Sequence, residues 1–473
     1  MLLNVDAISG VEDTFADIMD RTIKCALWLQ RHGVGKGDIV VISSHNHLDS
    51  IIPYVAAFYL GAIVSAWDYA MNVQLARYFL ALTQPKVIFA NEKSMAVILE
   101  AAKIELYHPK MVCFGYYPGT MSFSETLKGH AESAVKNFRC REINDPSHTG
   151  LILFSSGTTG MPKGVQISHK GLINALNLTT GFSLDAHVVM WFSSLYWISG
   201  SILSLKSIVS CTKKIIGPEF DEKSTCEIIE KFKITWLMLS TSMANRLARY
   251  SHLHDYDLSS LKFLFTGGAT MKQESQDLLK NNFSTTCVIQ AYGMTELGGL
   301  CAAQLPDTTS GSCGVASANC EIKVIDIGTG EALGPNEHGE LCAKTLSIMT
   351  GYLKNPEATK NTIDEDGWVH TGDLAYYNEK GEIFIMDRLK ELMKYRGHQI
   401  TPTEIENVLQ SHPAVLEVAV VSAEELIKMV ASNLMDNYKL RGGVRFLPSL
   451  PHTHSGKISK KELKAIARTI VIH

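Results

Sequence analysis

The sequence predicts an α/β fold, with a large N-terminal body built from several sheets and a small α+β C-terminal lid. Strand patterns and helix patterns alternate along the chain, which is typical of sheets covered by helices. At 473 residues the chain is too long for one compact core. A hydrophobic strand at residues 383–386 then runs directly into a charged segment. We therefore predict a body over residues 1–387 and a small C-terminal lobe, the lid, over residues 388–473.

The individual elements follow from hydrophobic periodicity. Apolar residues recur at helical spacing from Phe15 to Leu29, and Gly33 ends this helix. Continuously apolar, β-branched runs predict strands that are covered on both faces. Residues 51–67 are uncharged, but Pro53 and Gly61 interrupt them, which favours a buried helix and a buried strand over a membrane span. The predicted buried strands are residues 39–42, 86–90, 151–154 and 262–265.

Composition and charge exclude several classes of function. The formal net charge is −4, so the chain has no basic excess with which to neutralise nucleic-acid phosphates. Ten cysteines are spread without a Cys-x-x-Cys pair, which predicts reduced thiols and no metal-ligand spacing. Asp6 comes too early for a secretory signal. We expect a soluble cytoplasmic protein without a transmembrane segment. A peroxisomal location is the alternative, although residues 471–473 lack a Ser-Lys-Leu type of signal.

The strongest motif follows the predicted strand at 151–154 and reads FSSGTTGMPKGV over residues 154–165. Consecutive glycine and hydroxyl residues provide N–H and O–H donors that can surround a polyphosphate, and a lysine adds a positive charge. The motif is not a Walker A loop, because Gly164 follows the lysine where a Ser or Thr is required. A solvated turn is the alternative for any short Gly/Ser/Thr cluster. The candidate phosphate ligands are Ser155, Ser156, Gly157, Thr158, Thr159 and Lys163.

This motif resembles the phosphate-binding signature of the adenylate-forming superfamily, which includes acyl-CoA ligases, firefly luciferases and peptide-synthetase adenylation domains. The likeness is greatest to 4-coumarate–CoA ligases and insect luciferase-like proteins, and it extends over nearly the whole chain. The resemblance implies ATP-dependent activation of a fatty or aryl carboxylic acid to its acyl-AMP, with release of pyrophosphate. It also implies Mg²⁺ with the ATP, and CoA as the co-substrate that receives the acyl group.

Three further motifs in the body carry the resemblance. QAYGMTE at 290–296 resembles the family's second core motif, in which an aromatic ring stacks on adenine, a threonine faces the α-phosphate and a glutamate supports Mg²⁺. TGGA at 266–269 is similar to the glycine turn that borders the acyl and adenine pockets. GWVHTGD at 367–373 matches the motif whose aspartate accepts hydrogen bonds from both ribose hydroxyls. The implied nucleotide-binding residues are Gly268, Gln290, Tyr292, Gly293, Met294, Asp373 and Arg388. Thr295 and Glu296 are implied catalytic residues, Glu296 also holds the metal, and Gly267 and Ala269 belong to the acyl pocket.

The last motif, SGKI at 455–458, resembles the family's closing signature, whose lysine enters the active site during adenylation. A cation at Lys457 would stabilise negative charge as the carboxylate attacks the α-phosphate. Lys390 falls at the family's hinge, and Lys394, Arg396 and Gly397 keep the lid side of the CoA-binding pattern. In the implied mechanism the lid rotates between the two half-reactions and exchanges Lys457 for the 394–397 face.

The chain also departs from the family pattern in the acyl pocket and the lid. Tyr196 takes the place of a histidine that gates the acyl pocket, with Ile198 beside it, and Glu219 stands where a basic residue often lies near CoA phosphates. Family members carry about thirty further residues between 420–422 and the helix at 423, and they begin about as much earlier. We therefore expect a shortened lid. The alternatives are a luciferin monooxygenase-like enzyme, in which oxygen replaces CoA, and a catalytically defective paralogue that binds nucleotide or acyl groups.

Overall fold

The computed structural model describes residues 2–155, 161–177, 184, 187–389, 393–395 and 398–400, and thereafter residues 405–406, 409, 418, 420, 447, 450–451, 458–459 and 462–463. Nearly the whole predicted body is therefore described, whereas the proposed deletion point at 420–427 and most of the predicted lid lie outside the described residues.

Strands and helices alternate through the described chain, which confirms the predicted α/β class. The strands are β1 (Leu2–Asp6), β2 (Glu12–Thr14), β3 (Ile39–Ser43), β4 (Ile63–Ala66), β5 (Val87–Ala90), β6 (Lys110–Cys113), β7 (Met121–Ser122), β8 (Thr149–Ser155), β9 (Lys163–Ser168), β10 (Val188–Trp191), β11 (Lys213–Ile216), β12 (Trp236–Ser240), β13 (Phe263–Gly267), β14 (Cys287–Met294), β15 (Gly299–Ala303), β16 (Val315–Ala316), β17 (Cys320–Ile325), β18 (Gly339–Thr345), β19 (Gly351–Tyr352), β20 (Val369–Tyr377), β21 (Ile383–Arg388), β22 (Met393–Tyr395) and β23 (His398–Ile400). The helices are α1 (Phe15–Arg31), α2 (Ile52–Tyr59), α3 (Val73–Thr83), α4 (Glu92–Ile104), α5 (Phe123–Thr126), α6 (Glu132–Lys136), α7 (His169–Asn177), α8 (Ile198–Val209), α9 (Glu222–Phe232), α10 (Thr241–Ala248), α11 (Gln273–Asn282) and α12 (Pro356–Lys360), with 3₁₀ turns at Leu253–Asp255 and Thr295–Leu297.

Local sequence explains where the helices begin. Thr14 and Asp17 form a reciprocal capping box at the start of α1, which satisfies two orphan N–H donors. Asn91 and Asp221 cap α4 and α9 by accepting a hydrogen bond from the third helical N–H. The uncharged residues 51–67 form α2 and β4, as expected from Pro53 at the start of the helix. Among the described residues, each helix is too short or too polar to cross a membrane.

Two large sheets and one small sheet position the site. The eight-stranded sheet has the order β19-β9-β8-β4-β3-β5-β6-β7, and the nine-stranded sheet has the order β16-β15-β14-β13-β12-β10-β11-β1-β2. Helix α8 lies between them, because its Ile202 and Leu205 pack on the core of the first sheet and its Leu203 packs on the second. Apolar side chains cover both faces of each sheet, as continuously apolar parallel strands require.

A four-stranded antiparallel sheet of order β17-β18-β20-β21 follows. Val324 and Leu341 of this sheet pack with Ala302 of β15 in one buried cluster, and Tyr292 of β14 packs against that cluster. The last strand of this sheet, β21, contains Asp387 and Arg388, so the predicted boundary between body and lid falls at the end of this strand. Strands β22 and β23 then form a separate antiparallel pair.

Candidate active site

A cleft with a volume of about 2710 Å³ runs along the ends of strands β12, β13 and β14. Ligand sites in α/β proteins occur at the carboxyl ends of parallel strands, because loops there converge. Residues from all four motifs of the body line this cleft. The lining residues that were predicted from sequence are Ser155, Ile198, Gly267, Gly268, Ala269, Gln290, Tyr292, Gly293, Met294, Thr295, Glu296, Asp373 and Arg388.

The motif at 290–296 forms the end of β14 and the 3₁₀ turn that follows it. A side chain at Gly293 is excluded, because an added Cβ atom would lie 2.2 Å from the carbonyl oxygen of Gly299. Gln290 donates from Nε2 to the Cys313 sulfur at 3.4 Å, while its buried Oε1 atom has no hydrogen-bond partner in the part of the chain that the structure describes.

Asp373 lies between two partners from different strands. The Tyr292 hydroxyl donates to its Oδ2 atom at 2.6 Å, and Arg388 Nε donates to Oδ1 at 2.7 Å. The Asp373 side chain is 3% exposed, whereas that of Arg388 is 43% exposed. Burial, and then the Asp373 charge, raise the pKa of the Tyr292 hydroxyl well above its usual value. Tyr292 therefore stays protonated and acts as a fixed donor to the Asp373 carboxylate.

Glu296 is held by a residue that sequence reasoning missed. The Tyr352 hydroxyl donates to Glu296 Oε1 at 2.9 Å, and Glu296 is only 6% exposed. Burial, and then the Glu296 charge, raise the pKa of the Tyr352 hydroxyl. The Lys163 Nζ atom lies 4.6 Å from the centre of the Tyr352 ring, within the range of a cation–π contact. A tyrosine in the run GYLKNPEAT was the only sequence signal for this contact.

The predicted phosphate-binding loop, residues 156–162, begins and ends on neighbouring strands. Ser155 at the end of β8 pairs with Lys163 at the start of β9, so residues 156–162 connect two antiparallel strands. This arrangement brings Ser155 and Lys163 to the same edge as Glu296. Ser156, Gly157, Thr158 and Thr159 were predicted to contact phosphate, and they lie outside the described residues.

The four residues that the sequence suggested for an acyl pocket do not all face the cleft. Ile198, Gly267 and Ala269 line it, whereas Tyr196 is not among the lining residues. Tyr196 is buried in a hydrophobic cluster with Phe79, Phe154 and others, at 7% exposure. Its neighbour Trp197 lines the cleft instead and contacts the Tyr196 ring edge-to-face, with ring centres 4.8 Å apart.

The remaining predicted residues belong to the lid. Lys390, Arg396, Gly397 and Lys457 lie outside the described residues, and only the backbone of Lys394 is described, as part of β22. Glu219 lines the cleft, and the Tyr69 hydroxyl donates to its Oε1 atom at 3.5 Å.

The fold and this site together define an adenylate-forming enzyme of the acyl- or aryl-CoA ligase or luciferase-like kind. A family model described as AMP-binding enzyme matches residues 5–353, and the chain belongs to that family. The chain is 30% identical to 4-coumarate–CoA ligase 4 of Arabidopsis thaliana, over 98% of this chain and 88% of that protein. It is 28% identical to the luciferin 4-monooxygenase of Luciola mingrelica, over 98% and 91% of the two chains.

A solved structure shares the fold over almost the whole chain. The ATP-bound structure of MatB from Rhodopseudomonas palustris superposes with a TM-score of 0.87, at 22% identity, over 98% of this chain and 95% of that one. The alignment with the Arabidopsis protein spans 509 positions, which exceeds the 473 residues of this chain. It therefore includes positions at which this chain has a gap.

Proposed function

We propose that this protein activates a carboxylic acid with ATP, forming an acyl-AMP and releasing pyrophosphate, and then transfers the acyl group to the thiol of CoA. The observation that carries the proposal is the buried Asp373 carboxylate, which is held by Tyr292 and Arg388 at the wall of the cleft. A ribose diol needs one ionised acceptor that can take two hydrogen bonds, and a carboxylate fixed by a tyrosine and an arginine is such an acceptor.

The purine fits beside this carboxylate. The Tyr292 ring supplies a flat apolar face for the purine, and Gln290 lies in the same wall of the cleft. Gly293 lets the strand turn tightly enough for β15 to pack against it. These residues bind and orient the nucleotide, and binding in one orientation contributes much of the rate in phosphoryl chemistry.

The phosphates extend toward Ser155, Lys163 and Thr295. The hydroxyl groups of Ser155 and Thr295 donate hydrogen bonds, and the Lys163 ammonium adds a positive charge near the leaving pyrophosphate. Glu296 offers the hard carboxylate oxygen that Mg²⁺ prefers, and the Tyr352 hydroxyl keeps that carboxylate oriented. Magnesium, when bound, supplies charge that neutralises the phosphate oxygens.

The acid occupies the part of the cleft that is lined by Trp197, Trp236, Phe265 and Ile198. These large apolar side chains favour an aryl or long apolar acid over a short polar one. Lys457 would stabilise the charge that develops as the carboxylate oxygen attacks the α-phosphate. The acid's carboxylate loses no proton in this step, because it is already ionised at neutral pH.

Transfer to CoA depends on the lid more than adenylation does. Thioester formation needs a whole lid face built around residues 394–397, whereas adenylation needs a single cation from Lys457. The expectation of a shortened lid rests on the sequence itself, in which residues 420–422 run directly into a helix pattern where family members carry about thirty further residues. We therefore propose that adenylation is retained and that thioester formation is slow.

Pyrophosphate exchange against a panel of fatty and aryl acids tests the first half-reaction, and acyl-CoA formation tests the second. We expect exchange with at least one aryl acid and little acyl-CoA. Inserting the segment of about thirty residues from a relative should increase acyl-CoA formation without changing exchange. Acyl-CoA formation at rates ordinary for ligases, about 1–10³ s⁻¹, would show that the shortened lid is harmless.

A luciferin monooxygenase activity is the second candidate, because the Luciola mingrelica enzyme is similar over 98% of this chain. Both reactions begin with the adenylate, so exchange cannot distinguish them. Oxygen-dependent light emission from a luciferin, without CoA, would favour the monooxygenase. Absence of exchange with every acid, in a protein that still binds ATP, would favour a catalytically defective binding protein.

A further inference from the structure

Three side chains with metal-ligating atoms meet on the four-stranded sheet, and none of them lines the cleft. Glu340 and Cys342 are two residues apart on β18, and His370 on β20 is paired directly with Cys342. Residues with this spacing and this pairing point to the same face of a sheet. One carboxylate oxygen, one sulfur and one imidazole nitrogen therefore lie within 4.8 Å of one another.

The distances between these atoms suit a small tetrahedral cation. Cys342 Sγ lies 3.7 Å from His370 Nδ1, and that nitrogen lies 3.0 Å from Glu340 Oε2. With zinc bonds of about 2.3 Å to sulfur and about 2.0–2.2 Å to nitrogen or oxygen, tetrahedral ligand atoms are about 3.3–3.6 Å apart. The Sγ–Nδ1 and Nδ1–Oε2 distances lie within about half an ångström of this range, and all three atoms lie within 4.8 Å of one another.

The surroundings of the three residues also resemble those of a metal site. The second ring nitrogen of His370 faces Asp364, at 3.8 Å from Oδ2, and metal-ligating histidines usually direct their other nitrogen to a carboxylate. The other oxygen of Glu340 accepts the Gly372 N–H at 3.0 Å, which fixes the orientation of that carboxylate. Cys342 is fully buried, so a bound cation would be shielded from solvent on the sulfur side.

We propose that Glu340, Cys342 and His370 bind a divalent cation of the zinc class, with water as the fourth ligand. Sulfur and imidazole ligands select zinc, cobalt or cadmium over magnesium and calcium. Binding forms a metal–sulfur bond and releases the thiol proton of Cys342 to solvent, and no oxidation occurs. A thiolate and a carboxylate balance the charge of the cation. No motif in the sequence predicts this cluster, because strand pairing and not a Cys-x-x-Cys spacing brings the residues together.

Cobalt is the probe for the test, since a cobalt–thiolate bond gives a charge-transfer absorption. Tag-free full-length protein is treated with a chelator, dialysed and titrated with Co²⁺. We expect one equivalent of Co²⁺ to produce the charge-transfer band, and one equivalent of Zn²⁺ to abolish it. The Cys342→Ser variant should lose the band, and Glu340→Gln should keep it with at least tenfold weaker binding.

Cys226→Ser is the matched control, because Cys226 is also fully buried but lies on α9, outside the cluster. This variant should keep the band. A band that survives Cys342→Ser, or that Cys226→Ser abolishes equally, would overturn the proposal. If Cys342→Ser does not fold, X-ray absorption of zinc on the wild-type protein decides the matter. One sulfur in the first coordination shell supports the site, and a shell of oxygen atoms alone refutes it.

Discussion

Replacing Asp373 with alanine tests the nucleotide assignment most directly. The carboxylate accepts from Tyr292 at 2.6 Å and from Arg388 at 2.7 Å, and its side chain is 3% exposed. The substitution removes the proposed acceptor for the ribose diol. It also leaves the Tyr292 hydroxyl without this partner, whereas the 43% exposed Arg388 can be hydrated by solvent.

The expected loss of ATP affinity follows from the number of hydrogen bonds that the carboxylate would accept from the ribose. A hydrogen bond to a charged group contributes about 1.5–3 kcal/mol, so two bonds to the ribose contribute about 3–6 kcal/mol to ATP binding. This loss corresponds to a dissociation constant that rises about 10²- to 10⁴-fold. The orphaned Tyr292 hydroxyl should separately lower the free energy of unfolding by about 1–3 kcal/mol. Affinity and stability therefore change together but are measured separately.

Isothermal titration with ATP measures the affinity, and thermal unfolding verifies the fold of each variant. Tyr292→Phe is the matched control, because it removes the same tyrosine–carboxylate hydrogen bond but keeps Asp373 and the aromatic ring. We expect this control to weaken ATP binding by less than about tenfold, since one neutral-donor contact that does not touch the ribose is lost. A folded Asp373→Ala protein that binds ATP like the wild type would refute the assignment.

Three further predictions concern other charged groups. Lys457→Ala should reduce pyrophosphate exchange by about 10²- to 10³-fold, because it removes a cation that stabilises the transition state. Thioester formation from supplied acyl-AMP should persist. Equal loss in both assays would indicate a misfolded lid. Glu219→Lys should lower the KM for CoA by about threefold to tenfold in a coupled assay at low salt, because a positive charge replaces the negative charge that faces the CoA phosphates. The rate of pyrophosphate exchange should not change. Burial lowers the pKa of Lys214 to about 7, and its Nζ atom lies over the Trp191 ring at 4.3 Å. The unfolded chain therefore binds a proton that the folded chain lacks between about pH 7 and pH 10, so stability should rise with pH in that window. Lys214→Met should flatten this rise in denaturant titrations, and an unchanged slope would contradict it.

Local patterns were sufficient to predict the helices and strands. The helix expected from Phe15 to Leu29 is α1, Phe15–Arg31, and the strand expected at 39–42 is β3, Ile39–Ser43. These elements are predictable because capping and apolar periodicity are properties of neighbouring residues. Tyr292 and Asp373 were both expected at the nucleotide, yet their direct hydrogen bond joins residues 81 positions apart. Only the packing of two sheets determines such a contact.

At the proposed acyl pocket, two adjacent aromatic residues have different surroundings. Trp197 precedes α8 with φ −88° and ψ 140°, an extended conformation. Tyr196 lies in the preceding turn, in which the Trp197 N–H donates to the Ser194 carbonyl oxygen at 3.1 Å. From this turn Tyr196 packs in the core beside Phe79, and Trp197 faces the cleft. A motif comparison aligns positions along the chain, but it does not determine which of two adjacent rings faces the ligand.

Side chains that cross between sheets hold the residues of the proposed nucleotide site. Tyr352 reaches from the eight-stranded sheet to Glu296, which follows a strand of the nine-stranded sheet. Tyr292 reaches from the nine-stranded sheet to Asp373 of the four-stranded sheet. Since each contact ends on a proposed ligand of ATP or magnesium, a change in the spacing of the sheets would displace those ligands relative to one another. Substitutions in the apolar layer between the sheets should therefore weaken ATP binding without touching the nucleotide, because close-packed cores transmit displacements of side chains.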